Sequence, residues 1–335
     1  MVFAYLIFFT IAAEEFEVSL KVTRGLISRM TGTTLDEPED MSSTMATVHT
    51  TKDEKYEAEY NSLLEESDSK FARVLKQARE RGSSNWLTAL PLAKYGFTLN
   101  KGQFRDSLLL RYGKELSGLP ETCACGTPMT INHALNCSRG GYIIIRHNSV
   151  RDFLANQISQ VCKDVTVEPP LQQFEGETFT RRGTLTGEHA RPDIKARGFY
   201  RDGQHAFFDI KLLNPNSESY LDVPTKKVYE RAERAKRGLY NERIINVEHG
   251  TFCPLVFSVS GGAGQEAKTF LRMLGDKLAQ KHSQEYSSVM NFIKCKLAFL
   301  VRKLVLLCIR GSRTPKKIEN DYVNDFEFAC FASKL

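Results

Sequence analysis

The stretch ARPDIKARGFYRDGQHAFFDIKLL, residues 190–213, reads as two strands joined by a turn, with Asp193 and Asp209 set among basic neighbours. On the first strand Asp193, Lys195 and Arg197 alternate with Ile194 and Ala196. On the second, Asp209 and Lys211 alternate with Phe208, Ile210 and Leu212. Successive side chains of a strand point to opposite faces, so each strand has one charged and one apolar face. Whether the charged faces coincide depends on the turn. A two-residue turn at Asp202-Gly203 would pair Arg201 with Gln204 and put the two aspartates on opposite faces. A three-residue loop, Arg201-Asp202-Gly203, would pair Tyr200 with Gln204 and bring Asp193, Asp209 and Lys211 to one face; glycine at the left-handed loop position favours it.

That geometry admits two readings. In one, Asp193 lies beside Lys211 and Lys195 beside Asp209, two cross-strand ion pairs worth no more than about 1 kcal/mol each. In the other, the two carboxylates bind a divalent metal and Lys211 positions and activates a water. Phosphodiester hydrolysis needs charge neutralised on the phosphoryl oxygens and a nucleophile deprotonated near neutral pH, and Mg²⁺ on hard oxygen ligands supplies both. Glu168, in TVEPP at the end of the preceding strand, is the candidate third ligand.

Outward from the hairpin the chain alternates helix and strand. SVRDFLANQISQV puts Val150, Phe153, Leu154, Ile158 and Val161 on one helical face. VTVEPPLQ is strand-like, and a charged helix runs from about Pro224 to Ile245. TFCPLVFSVS suits a strand buried on both faces, and GGAGQEAKTFLRMLGDKLAQK opens a helix with Phe270, Leu271, Leu274 and Leu278 inward. The order predicts an α/β fold, a mixed central sheet with flanking helices. Leu297 to Ile309 is 13 residues with Arg302 and Lys303 inside it, short of the roughly 20 apolar residues a bilayer needs, so a buried helix is expected there.

The first half is more polar. Residues 30 to 52 lack an apolar period and read as a disordered linker, followed by a charged helix from Lys55 to about Glu80 and a second helix beginning near Gly102. The 335-residue chain carries a formal net charge of +6. Between Thr34 and Asp68 the local net is −9, leaving +15 on the rest, a surplus that suits a polyanion such as nucleic acid. The start, MVFAYLIFFTIAAEEFE, resembles a short secretory leader without its basic region, so a secretory route stays open beside a nuclear or cytoplasmic one. Cys162, Cys253, Cys295, Cys308 and Cys330 are scattered, mostly in apolar runs, as reduced buried cysteines are, which favours a reducing compartment.

TCACGTPMTINHALNC gives Cys123-x-Cys125-x7-His133-x3-Cys137. Three thiolates and an imidazole make a closed tetrahedral zinc set with no position left for water, so a structural Zn²⁺ is expected. A unit this small has little core of its own, and metal loss is expected to unfold it.

The order of these pieces resembles the C-terminal region of non-LTR retrotransposon polyproteins that carry a restriction-like endonuclease. The residues that carry the resemblance are Cys123, Cys125, His133 and Cys137, then Arg146-His147, then Pro192-Asp193, Asp209 and Lys211, with Lys236 and Tyr240 on the following helix. The resemblance covers roughly residues 84 to 310. It implies a zinc knuckle before a PD-(D/E)XK nuclease-like core that nicks double-stranded DNA so that the 3′ end primes reverse transcription. No polymerase palm with its Ala-Asp-Asp signature is present. Target-primed synthesis by this chain alone is therefore excluded, and the chain looks like a fragment whose nuclease is either retained or decayed.

Between Pro224 and Ile245 seven basic residues face three acidic ones. Arg231, Arg234, Lys236, Arg237 and Tyr240, with Arg146 and His147, are the candidate nucleic-acid contacts; a solvated face with Glu230-Arg234 and Glu233-Arg237 pairs is the plainer alternative. SGGAGQ could seat a phosphate at a helix N-terminus. The expected division is a hydrophobic start and acidic linker (1–54), a helical linker subdomain (55–118), the zinc knuckle (119–141), the endonuclease (142–312) and a tail (313–335). The expected partners are double-stranded DNA and element RNA, with no membrane partner. The function expected is Mg²⁺-dependent DNA cleavage; the alternative is an inactive, zinc-containing nucleic-acid-binding remnant.

Overall fold

The computed structural model describes residues 41–172, 184 and 190–311, with side chains from residue 54 onward. The leader-like start, residues 30–40 of the linker and the tail lie outside the described residues. Two compact units divide between Ser67 and Asp68. In the first, helix α1 spans Met41–Glu66, so the helix begins well before Lys55 and takes in much of the expected linker. The second unit opens with α2, Ser69–Ala78. The single helix expected to Glu80 is thus two. Asp68 explains the break: its extended backbone and a 2.7 Å hydrogen bond from Phe71 N–H to its side chain cap α2 and start a new helix.

Next come α3, Asn85–Thr88, and α4, Lys101–Arg111, which starts at a capping box of Asn100 and Gln103. The short α5, Ile131–Asn136, and the long α6, Tyr142–Ser159, precede the sheet. Strands β1 (Lys163–Val167), β2 (Ile194–Arg197) and β3 (His205–Leu213) are followed by helix α7 (Thr225–Asn246) and strand β4 (Thr251–Ser258). Helices α8 (Gln265–His282) and α9 (Tyr286–Arg310) end the described chain.

The sheet order is β1-β2-β3-β4, with β1, β2 and β3 antiparallel and β4 parallel to β3. This is the α/β fold with a mixed central sheet and flanking helices. Ile194, Ala196, Phe208 and Ile210 face one side, where they join Val150, Phe153, Leu154 and Ile158 of α6, the apolar faces of α8 and α9, and Leu135 of α5. On the other side Tyr240 and Ile244 of α7 cover Phe207 and Phe252, while Val228, Tyr229 and Ala232 cover Leu213 and Val256. Leu297–Ile309 forms most of α9, packed in the core as expected, and among the described residues no helix is long and apolar enough to cross a membrane.

The hairpin register differs from both expected turns. Ile194 pairs with Phe208, Lys195 with Phe207 and Arg197 with His205, so continuing the register one residue beyond the ladder sets Asp193 opposite Asp209. The ladder ends where Gly198 N–H meets Gln204 O at 2.9 Å, leaving a five-residue loop. Gly198 causes this. Continued alternation would put Phe199 on the charged face; a left-handed Gly198, φ 88°, turns the chain so that Phe199 enters the opposite core. There it stacks on Phe270 at 5.1 Å and meets Phe208 edge-on at 5.2 Å. The register shifts by two residues relative to the three-residue loop, so the shared face survives but the neighbours change. Lys195 lies over the Phe207 ring at 5.9 Å, and the cross-strand ion pairs Asp193-Lys211 and Lys195-Asp209 do not form.

Candidate functional site

Two places concentrate reactive side chains. The first is the sheet face beneath α7. Asp193, just ahead of β2, and Asp209, in the middle of β3, are both buried. Asp193 Oδ1 is 2.8 Å from His147 Nε2 on α6, and its Oδ2 accepts from Ile210 N–H at 2.5 Å. Asp209 Oδ2 is 2.5 Å from Lys236 Nζ on α7, a close ion pair. Burial raises the Asp209 carboxyl to about 6; Lys236 pulls it back and the nearby Asp193 charge adds to the rise. Lys211, two residues on and half-buried, has its ammonium lowered by burial and then by Lys236. Tyr240 OH donates to Arg191 O at 3.2 Å, and its ring packs on Phe252.

Glu168 lies opposite Asp193 in the β1–β2 register, and its N–H donates to Asp193 O at 2.9 Å. Its side chain goes elsewhere. It pairs with Arg151 of α6, from a left-handed backbone, φ 49°. Glu168 therefore does not join the two aspartates in a three-carboxylate cluster, because the buried Arg151 guanidinium takes its charge.

The expected nucleic-acid contacts divide by burial. Arg231 and Arg234 are exposed on α7. Arg146 is not available to a phosphate: it is buried against Cys308 of α9, 3.8 Å from its sulfur. His147 and Lys236 are committed to the aspartates, and Tyr240 is buried. Arg237 holds Glu266 of α8 through Nε at 2.9 Å and Nη2 at 2.5 Å. The expected partner of Arg237, Glu233, instead accepts from Glu266 N–H at 3.0 Å, and Glu230 pairs with Lys227 at 2.8 Å. Glu233 thus occupies the N-terminus of α8, so SGGAGQ does not offer that terminus to a phosphate. Gly264 permits the approach, since a Cβ there would come 2.2 Å from Glu233 Oε1.

The second place is the Cys/His unit. Cys123 N–H to Thr127 O and Gly126 N–H to Cys123 O close a tight turn at a left-handed Gly126. Thr130 caps α5 and sets His133 on its first turn, and Cys137 ends that helix. The ligand atoms of Cys123, Cys125, His133 and Cys137 all lie within 4.8 Å of one another. Cys123 and Cys137 sulfurs are 3.8 Å apart, matching the edge of about 3.8 Å that Zn–S bonds of ~2.3 Å give in a tetrahedron. Cys125 Sγ is 3.2 Å from His133 Nε2, and hydrogen bonds with Thr127 lower its thiol to about 6, toward the thiolate a metal requires. The four residues fit a zinc ion. The unit is also anchored: Ala134 and Leu135 belong to the main core, and Asn132 Oδ1 accepts from Asn214 Nδ2, just past β3, at 2.9 Å. No disulfide joins the seven described cysteines.

Sequence reasoning missed Arg151 as the partner of Glu168, His147 as the partner of Asp193, and the Asn132–Asn214 bridge. RHNSVRDF carried the signal for the first two. His147 and Arg151 are one helical turn apart and so share a face of α6. Compared with known families and curated proteins, the chain matches no family model and no curated protein.

Proposed function

We propose that this chain is a Mg²⁺-dependent endonuclease acting on double-stranded DNA, with Asp193 and Asp209 as metal ligands and Lys211 at the attacking water. The observation that carries the reading is the direct opposition of Asp193 and Asp209 beneath α7, with Lys211 next on the same face of β3. The order of helix, three antiparallel strands, helix and parallel strand supports a PD-(D/E)XK-like core. The Cys₃His unit ahead of α6 supports kinship with the C-terminal region of non-LTR retrotransposon polyproteins.

Mg²⁺ is commonly held by one or two carboxylates, with water and substrate phosphate completing its shell, and two opposed aspartates suit that need. When bound, the ion supplies charge neutralisation at the phosphoryl oxygens and a more acidic water. His147 and the Ile210 N–H hold both oxygens of Asp193 in a fixed orientation. Asp209 sits where burial opposes its ionisation, so it gains from any nearby cation, whether Lys236 or a metal. Lys211, its ammonium destabilised by burial and by Lys236, is suited to exchange a proton with the attacking water. The exposure of Arg231 and Arg234 on α7 supports a role for them in phosphate contacts.

One observation favours the inactive remnant: Lys236 on Asp209, His147 on Asp193 and Arg151 on Glu168 already balance the carboxylates internally. A supercoiled-plasmid nicking assay with Mg²⁺ decides between the readings. Nicking by the natural chain that is lost in Asp209→Ala and Lys211→Ala supports catalysis, and equal nicking by all three proteins removes it. Absent nicking with retained, salt-dependent DNA binding assigns the remnant.

A further inference from the structure

We propose that Trp86, Ser107, Arg111 and Arg302 form a binding site for a phosphate-type oxyanion, separate from the aspartate face. These residues come from α3, α4 and α9, none of which supplies a group to Asp193 or Asp209. Arg302 is 6% exposed, in the middle of α9, with its guanidinium 5.1 Å from the centre of the Trp86 ring. Its charged neighbour is not an acid: Arg111, on α4, is close enough for the two guanidinium groups to repel. Burial together with Arg111 lowers the Arg302 guanidinium to about 10.

Unmet polar atoms lie on the neighbouring helices. Trp86 Nε1, Ser107 Oγ and Arg111 Nε are all buried and have no hydrogen-bond partner among the described residues. Ser107 and Arg111 lie four residues apart on α4 and so face the same way, and Phe104, one turn earlier, packs edge-on against Trp86 at 5.8 Å. The acid next in sequence, Asp106, is already taken by Arg310 at 2.8 Å and Arg105 at 3.0 Å. A buried guanidinium without a carboxylate, beside a second guanidinium and two more unmet polar groups, is a costly arrangement for a core. It becomes favourable once an anion accepts from all of them. A tetrahedral phosphate suits donors supplied by three helices, because it offers oxygens on every side and matches the planar guanidinium fork. Arg111 is only half-buried, so part of its side chain reaches solvent.

The chain contains a single tryptophan, so the fluorescence of Trp86 reports on this site alone. Inorganic phosphate is titrated into the full chain at constant ionic strength, with chloride as the balancing salt. A saturable change in Trp86 emission is expected, weakened at least about tenfold in Arg302→Met and in Arg111→Met. A wild-type signal that never saturates, or an undiminished response in both variants, overturns the site. Should Arg302→Met fail to fold, the partly exposed Arg111→Met carries the comparison by itself. A second titration compares a short single-stranded oligonucleotide with and without a 5′-phosphate. Tighter binding of the phosphorylated strand than of inorganic phosphate identifies a nucleic-acid terminus as the source, whereas a response to inorganic phosphate alone identifies a free oxyanion.

Discussion

Asp209 is the residue at which stability and proposed chemistry pull in opposite directions. Burial holds its carboxyl at about 6, well above the ordinary value of 3.8, even with the Lys236 ammonium beside it. The folded chain therefore binds this proton more tightly than the unfolded chain does. The contribution to stability is fully present below about pH 4 and is lost as the pH rises to about 6. Asp209→Asn keeps the shape without the charge, and Lys236, partly exposed, can turn to water. At neutral pH and without divalent ions the variant is expected to be about 1 to 3 kcal/mol more stable than the natural chain, with most of that gain gone near pH 4. Urea unfolding at both pH values measures it; a gain that does not change with pH would show that the charge is not the cause. Adding Mg²⁺ should stabilise the natural chain and leave Asp209→Asn unmoved, the mark of a residue kept at a cost in stability.

Among the elements, the strands and long helices were legible because their apolar residues repeat with the right period. Val150, Phe153, Leu154 and Ile158 named the buried face of α6, and TFCPLVFS named β4. The hairpin register was less accessible. Turn chemistry pointed to Gly203, but the residue that ends the ladder is Gly198, five positions earlier, and its effect depends on the pocket that Phe208 and Phe270 offer to Phe199. That pocket is tertiary, and no local pattern announces it. The shared face of Asp193 and Asp209 was recovered because a two-residue shift preserves alternation, while their opposition was not. The start of α1 was missed for the opposite reason, since a helix without an apolar stripe leaves no periodic trace. If Gly198 sets the register, Gly198→Ala forces a left-handed alanine and should lower stability by about 1 kcal/mol. Phe199→Ala should lower it by about 3 to 5 kcal/mol through the cavity left against Phe208 and Phe270. Chemical denaturation reads both, and a neutral Phe199→Ala would mean that the aromatic cluster does not hold the loop.

At the scale of the unit from Asp68 onward, the pieces that look like separate modules in sequence share one interior. Helix α2 docks through its polar face: Arg73 donates to the carbonyls of Pro215 and Val223 at 2.8 and 2.7 Å, and Gln77 and Asn216 bond each other reciprocally. Tyr229 of α7 donates to Glu80 at 2.6 Å. The Cys₃His unit is bound in the same way, with Leu135 in the core that α6, α9 and the sheet share and Asn132 on Asn214. A free-standing knuckle stripped of its metal would unfold by itself at low temperature. Here, Ala134 and Leu135 cannot leave without opening the main core, and that core cannot melt without releasing them. Zinc removal should therefore lower the midpoint of one cooperative transition rather than create a second, separate one. The same shift should appear in Cys137→Ser, whose sulfur is buried beside Cys123. Calorimetry of the full chain with and without chelator tests this. Two resolved transitions after metal removal would show that the unit folds apart from the sheet, and that the Asn132–Asn214 bridge does not couple it to the strand carrying Asp209 and Lys211.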